Sequence, residues 1–177
     1  MLKLNVNNET SKLLAVVLGT AKSNGPAPKL EDCYDPKSRE NVLANTYPTE
    51  IDMVDELNQL EEVLVKHNVK LYRPEVINDY NQIFSRDIGF VIDDFFIVAN
   101  ILPDRSNEIF AIQKVLDLIP KNKIIELPDD CHVEGGDVIL NNDYIFIGTY
   151  DGIDYSNFKT ARTNYKAIKF LKEKFPA

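Results

Sequence analysis

Two stretches of this 177-residue chain carry the same pattern, and that duplication constrains the fold more than any other feature of the sequence. "GFVIDDFFIVAN", Gly89 to Asn100, is a pair of short apolar runs around Asp93-Asp94; "GDVILNNDYIFIGT", Gly136 to Thr149, is another pair around Asn141-Asn142-Asp143. Short apolar runs parted by Asp and Asn predict β-hairpins. The hairpins are offset by about 47 to 49 residues, and each leads into apolar positions at helical spacing. After the first come Ile109, Ile112, Val115, Leu116 and Ile119, stopped by Pro120; after the second come Tyr165, Ile168, Leu171 and Phe175, stopped by Pro176. The first unit closes with the strand "KIIELP", Lys123 to Pro128, while nothing equivalent follows the second helix. The pattern predicts an α/β chain of strand-strand-helix-strand units, near 81–128 and 131–177, whose cores form by stacking on neighbours. The expectation is a single partial domain over 1–177. Its unfinished edge would be completed by further residues or by a second copy of the chain, a route to a homo-oligomer.

Upstream, "LLAVVLG", Leu13 to Gly19, reads as a buried strand, and residues 21–48 read as a long polar loop, since they show little periodicity. Thr49 with Asp52 makes a capping box for a helix carrying Met53, Val54, Leu57, Leu60, Val63 and Leu64 and ending near Asn68. "VKLYRPEV" then returns as a strand.

Composition narrows the partners. A net charge of -8, with 20 basic residues scattered among 28 acids, argues against nucleic acid and anionic membrane surfaces. The first residues lack a signal-peptide pattern and no run approaches the ~18 apolar residues of a membrane span, so the expected compartment is cytoplasmic. Two cysteines and two histidines have neither disulfide-framework nor metal-ligand spacing.

"CHVEGGDVIL", residues 131–140, brings thiol, imidazole and two carboxylates together. In extended chain Cys131 and His132 point to opposite faces and are poorly placed to form a dyad, whereas His132 and Glu134 share a face. That carboxylate could orient an imidazole or hold a cation. In "NYNQIFSRDIGF", Asn81, Phe84, Arg86 and Asp87 stand before the first hairpin as Glu134 and Asp137 stand at the second. Acids at the mouths of two related units would converge on a common axis, where paired carboxylates suit a planar guanidinium. The plainer alternative makes Arg86-Asp87 a local salt bridge and Asp137 a turn residue.

"NQIFSRDIGFVIDD", "HVEGGDVIL", "IFIGT" and "ARTN", in that order, resemble the guanidine-modifying superfamily of amidinotransferases, arginine deiminases and dimethylarginine dimethylaminohydrolases. The resemblance runs from about Glu9 to the end of the chain and departs at Ile88, where many members have proline. It implies a pentein-type α/β propeller of five strand-strand-helix-strand units, of which this chain would hold about the N-terminal three. It also implies an arginine-like guanidino substrate, attack by a cysteine thiolate on the guanidino carbon, and no metal or organic cofactor. By the same resemblance Asp87 binds the guanidinium and Glu134 contacts it or the catalytic histidine. Asn81 and Phe84 line the substrate, Arg105 and Arg162 clamp its carboxylate, and Asp137 is structural. Neither His67 nor His132, and neither Cys33 nor Cys131, stands at the family's catalytic positions, which fall after the unit containing EGGD. The expectation is therefore the N-terminal part of such an enzyme, inactive alone. The alternative is a non-catalytic binding or assembly domain on the same scaffold.

Overall fold

The computed structural model describes residues 1–33, 36–101, 103–150 and 162–176. These divide into two compact units, one formed by the described residues of 1–13, 84–150 and 161–177, the other by those of 14–83. Ala161, the first residue of the "ARTN" motif, and residues 34 and 35 of the polar stretch lie outside the described residues.

The unit of residues 14–83 is a strand-helix-strand crossover. Strand β1 (Ala15–Val17) pairs in parallel with β2 (Lys70–Tyr72), Val16 opposite Leu71. Between them stand α1 (Pro36–Leu43) and α2 (Glu50–Lys66). The capping box forms as the sequence predicts: the Thr49 hydroxyl accepts from the Asp52 amide, and the Asp52 carboxylate accepts from the Thr49 amide. Each satisfies an amide that helix geometry leaves without a partner.

Two expectations need correction in this unit. Strand β1 covers three residues of the seven read as strand, and all three are only partly buried; the buried positions are Leu18, Gly19, Thr20 and Ala21, just beyond it. The stretch 21–48 is not loop throughout, because it contains α1. Proline is preorganised for the first helical position, where Pro36 stands. No residue of α1 is buried, so the helix has no apolar stripe for periodicity to detect.

The other unit carries the repeat. Strands β3 (Gly89–Ile92) and β4 (Phe95–Val98) form an antiparallel hairpin, and β5 (Ile124–Glu126) joins β4 in parallel, giving the order β3-β4-β5. Between β4 and β5 the chain makes α3 (Asn107–Ala111) and α4 (Gln113–Leu116). The continuous helix predicted here is broken at Ile112, whose ψ of 12° leaves the helical range, yet Ile112, Val115, Leu116 and Ile119 are all buried. The second hairpin, β6 (Val138–Asn141) with β7 (Tyr144–Ile147), is followed by α5 (Tyr165–Lys174). Asp93 and Asn142 occupy equivalent turn positions with φ of 53° and 52°, a conformation that Asp and Asn tolerate better than most residues. Both turns engage the N-terminal segment: Val6 and Asp93 exchange backbone hydrogen bonds, and the Asn142 amide donates to Asn7.

A single core joins the repeats. Phe90, Ile92 and Ile97 of the first pack with Val133, Val138, Leu140, Ala167 and Leu171 of the second. Alternation along β6 puts Val138 and Leu140 inside and Ile139 outside. Each buried large apolar side chain contributes on the order of 1.5–3 kcal/mol, so this core fixes the segments that carry Asp87 and Glu134. No described helix is long and apolar enough to cross a membrane.

Candidate functional site

Asp87 and Glu134 stand at the mouths of the two hairpins, two and four residues before β3 and β6 respectively. Two glycines bring these segments together. The Gly135 amide donates to the Asp87 carbonyl at 3.4 Å, and a Cβ on Gly135 would sit well under 3.0 Å from the Arg86 carbonyl oxygen. A Cβ on Gly136 would lie 2.5 Å from Asp87 Oδ1. At Gly135 the obstructing atom is backbone, so only a residue without a side chain permits this approach of one mouth to the other.

Adjacent residues then take different partners. Arg86 leaves Asp87 and donates to the Gly135 carbonyl at 3.0 Å, the Val138 carbonyl at 2.8 Å and the Glu9 carboxylate at 2.9 Å. Glu9 also accepts from the Leu140 amide, and the Arg86 hydrogen bond holds its carboxyl below the usual range. A local Arg86-Asp87 salt bridge is thus not what forms. Asp87 pairs with Arg105, 18 residues on, at 2.8 Å. Arg105 in turn lies in a fork on Glu108, with Nε to Oε1 at 2.6 Å and a terminal nitrogen to Oε2 at 3.1 Å.

Glu134 is 4% exposed and pairs through Oε2 with the Arg162 guanidinium; its other oxygen, Oε1, is buried without a hydrogen-bond partner. Burial pushes the Glu134 carboxyl up, the Arg162 charge opposes that, and the nearby Asp87 charge adds to it. Burial likewise pushes Glu108 up against the pull of Arg105. For Arg105, burial alone would favour the neutral form, but the hydrogen bonds to Glu108 and Asp87 outweigh it and hold the guanidinium charged well above its usual range. Asp137 accepts from the Thr163 hydroxyl at 2.7 Å and from the Arg162 amide at 3.0 Å, tying the Arg162 backbone to the second mouth. Thr163 is itself buried, and its hydroxyl accepts from the Glu134 amide.

Five of the seven residues singled out in the sequence, Asp87, Arg105, Glu134, Asp137 and Arg162, are therefore linked in one charged cluster. Phe84 contributes its carbonyl, which accepts from Arg105 at 3.4 Å, while its ring is exposed. Asn81 belongs to the other unit, where its exposed side chain accepts from the Ile83 amide. His132 is exposed whereas Glu134 is buried, so the two do not share a face. Residues 131–134 are held by an isolated bridge at Val133 and are not part of a ladder strand, and so strict alternation fails there. Cys131 is buried, and burial together with Asp130 pushes its thiol up, away from the thiolate a nucleophile needs. Sequence reasoning missed Glu9, Thr163 and Glu108. Glu108 had a readable signal, an acid three residues after Arg105 at a helix start. Among the described residues no group of three or more His, Cys, Asp or Glu is arranged to hold a metal.

No family model matches the chain. It is 31% identical over 126 residues to the uncharacterized protein YkgA of Bacillus subtilis (strain 168), an alignment covering 69% of this chain and 39% of that one. Among solved structures it is similar to SxtG, an amidinotransferase from Microseira wollei in the saxitoxin biosynthetic pathway, with a TM-score of 0.71, 19% identity and coverage of 97% of this chain and 59% of that chain. Inosamine-phosphate amidinotransferase StrB1 of Streptomyces griseus gives a TM-score of 0.68 at 15% identity, covering 98% and 60%. Dimethylarginine dimethylaminohydrolase of Pseudomonas aeruginosa, solved with citrulline, gives 0.61 at 15%, covering 92% and 58%. The chain thus spans about three-fifths of the length of these enzymes and well under half of YkgA. With its paired hairpins, its arginine-seated acids and these likenesses, the chain has the fold of the guanidine-modifying pentein superfamily of amidinotransferases and dimethylarginine dimethylaminohydrolase-like enzymes.

Proposed function

We propose that this chain forms the guanidinium-binding wall of an enzyme that modifies the guanidino group of an arginine-like substrate, as hydrolase or amidinotransferase. One observation carries the reading: Asp87 and the buried Glu134 stand at adjacent hairpin mouths, each already seats a guanidinium of the chain itself, and Glu134 keeps a buried oxygen with no donor. An unsatisfied buried acceptor is costly unless something else supplies an N–H. A flat cation with several N–H donors fits that need.

In this reading Asp87 and Glu134 fix the planar cation while a thiolate adds to its central carbon. A proton passes to the departing nitrogen as the C–N bond breaks, and an amidino-thioether is left for water or an amine to resolve. Asp137 ties the loop that carries Arg162. Cys131, buried with its thiol pushed up, is unsuited to the attack, and His132 stands exposed and apart from Glu134. Neither Cys131 nor His132 is therefore assigned as nucleophile or proton shuttle, and the chain by itself is expected to form neither citrulline nor ornithine from arginine.

Isothermal titration with arginine, agmatine and methylated arginines tests the binding claim. Asp87→Asn should weaken binding about tenfold or more, the equivalent of one lost charged contact. Equal affinity in wild type and variant would show that Asp87 does not hold the ligand.

A further inference from the structure

We infer that Arg105 is a fixed part of the acid wall and not a clamp for a ligand's tail, and that Glu108 is the specificity-determining residue that commits it there. The consequence is that the site binds guanidines lacking an anionic tail at least as well as those that carry one. This inference rests on the guanidinium-binding reading above.

The donors of Arg105 can be counted. A guanidinium offers five N–H groups in a rigid fork. The edge formed by Nε and one terminal nitrogen lies on Glu108, at 2.6 and 3.1 Å, and that same terminal nitrogen reaches the Phe84 carbonyl at 3.4 Å. The other terminal nitrogen donates to Asp87 at 2.8 Å. Four donors are thereby used. Recognition of a carboxylate by a guanidinium fork needs two parallel N–H groups on one edge; the Nε edge lies on Glu108, and the edge of the two terminal nitrogens is already engaged by Asp87 and the Phe84 carbonyl.

Arg105 is also difficult to move. The Glu108 side chain is 1% exposed. Turning Arg105 toward a ligand would leave a buried carboxylate without its counter-charge, which is among the more unfavourable states a protein interior can hold. Arg162, the second arginine that the resemblance assigns to a substrate carboxylate, is engaged with Glu134. The cluster contains four acids, Asp87, Glu108, Glu134 and Asp137, against the two arginines 105 and 162, so with all groups ionised its own charge is negative. A second anion entering the cluster would meet repulsion, whereas a neutral or cationic tail would not.

Calorimetric titration of the chain with arginine and with agmatine, which lacks the carboxylate, reads the preference directly. Wild type should bind agmatine at least as tightly. In Arg105→Lys the charge beside Asp87 remains but the fork on Glu108 is lost, so both ligands should weaken by the same factor. A loss of about tenfold or more confined to arginine would reveal a tail clamp and overturn the inference. Glu108→Gln releases the forked edge and should move the affinity ratio toward arginine; an unchanged ratio removes Glu108 from the role. A readout free of any ligand separates failure of this inference from failure of the guanidinium reading. In nitrogen-15 spectra the Arg105 Nε–H should exchange slowly in wild type and quickly in Glu108→Gln, and rapid exchange in wild type would refute the lock. Slow exchange with binding of neither ligand would instead reject the guanidinium reading, and the inference with it.

Discussion

Replacing Gly135 by alanine tests the geometry on which the acid cluster depends. The added Cβ would sit well under 3.0 Å from the Arg86 carbonyl oxygen, and 3.1 Å from Phe90 Cδ1 in the core. The obstructing atom is backbone, so no rotamer change relieves it. The two segments must separate, and the separation pulls on the Arg86 hydrogen bond to the Gly135 carbonyl and on the hydrogen bond from the Gly135 amide to the Asp87 carbonyl. Overpacking of this kind costs about 1–3 kcal/mol, and rigid backbone on both sides puts Gly135→Ala near the upper end, at about 3 kcal/mol. For a chain of this length about 1 kcal/mol lowers Tm by ~2–4 °C, so melting followed by circular dichroism should fall by about 6–12 °C. Gly148→Ala is the control. Its Cβ would have its nearest neighbour at 3.7 Å, an ordinary contact, and a well-tolerated glycine-to-alanine change stabilises by about 0.4–1 kcal/mol through the unfolded state. Its Tm should equal or slightly exceed that of wild type. If Gly135→Ala melts within about 2 °C of wild type, the close approach of the two mouths is wrong, and the convergence of Asp87 and Glu134 goes with it.

Stability against pH provides a second test. The Glu134 carboxyl is raised by burial above its ordinary value of 4.5, so between the unfolded and folded values the native state binds the extra proton. Stability from this group is then present below about 4.5 and is lost as pH rises through the folded value. Glu134→Gln, which cannot ionise, should gain on wild type in urea midpoints as pH rises across that window, and a gap moving the other way would contradict the burial argument. Thiol labelling supplies a third: Cys33 is partly exposed while Cys131 is buried with its thiol pushed up. One thiol should therefore react quickly under native conditions and the second only after unfolding. Two equally fast thiols would show that the core around Cys131 opens readily.

What the amino-acid sequence determined by itself is local in origin. Hairpin turns at Asp93 and Asn142, the capping box at Thr49, and the buried positions of Ile112, Val115, Leu116 and Leu171 follow from turn chemistry and spacing, which act within a few residues along the chain. The duplicated hairpins and the four ordered motifs also made the superfamily's fold legible before any coordinates. Where the local signal was weak the reading failed, as at α1, which buries nothing, and at residues 131–134, where the ladder pattern does not hold. The partners of the charges that pair across long stretches of chain were decided by tertiary structure. Arg86 and Asp87 are neighbours in sequence, yet one reaches back 77 residues to Glu9 and the other forward 18 to Arg105. Coulomb attraction and hydrogen bonding depend on distance in space, and packing of the two repeats around one core sets those distances. For the same reason the sequence could nominate Arg105 and Glu134, while only the folded chain revealed that Arg105 also holds Asp87 and that one Glu134 oxygen still lacks a donor.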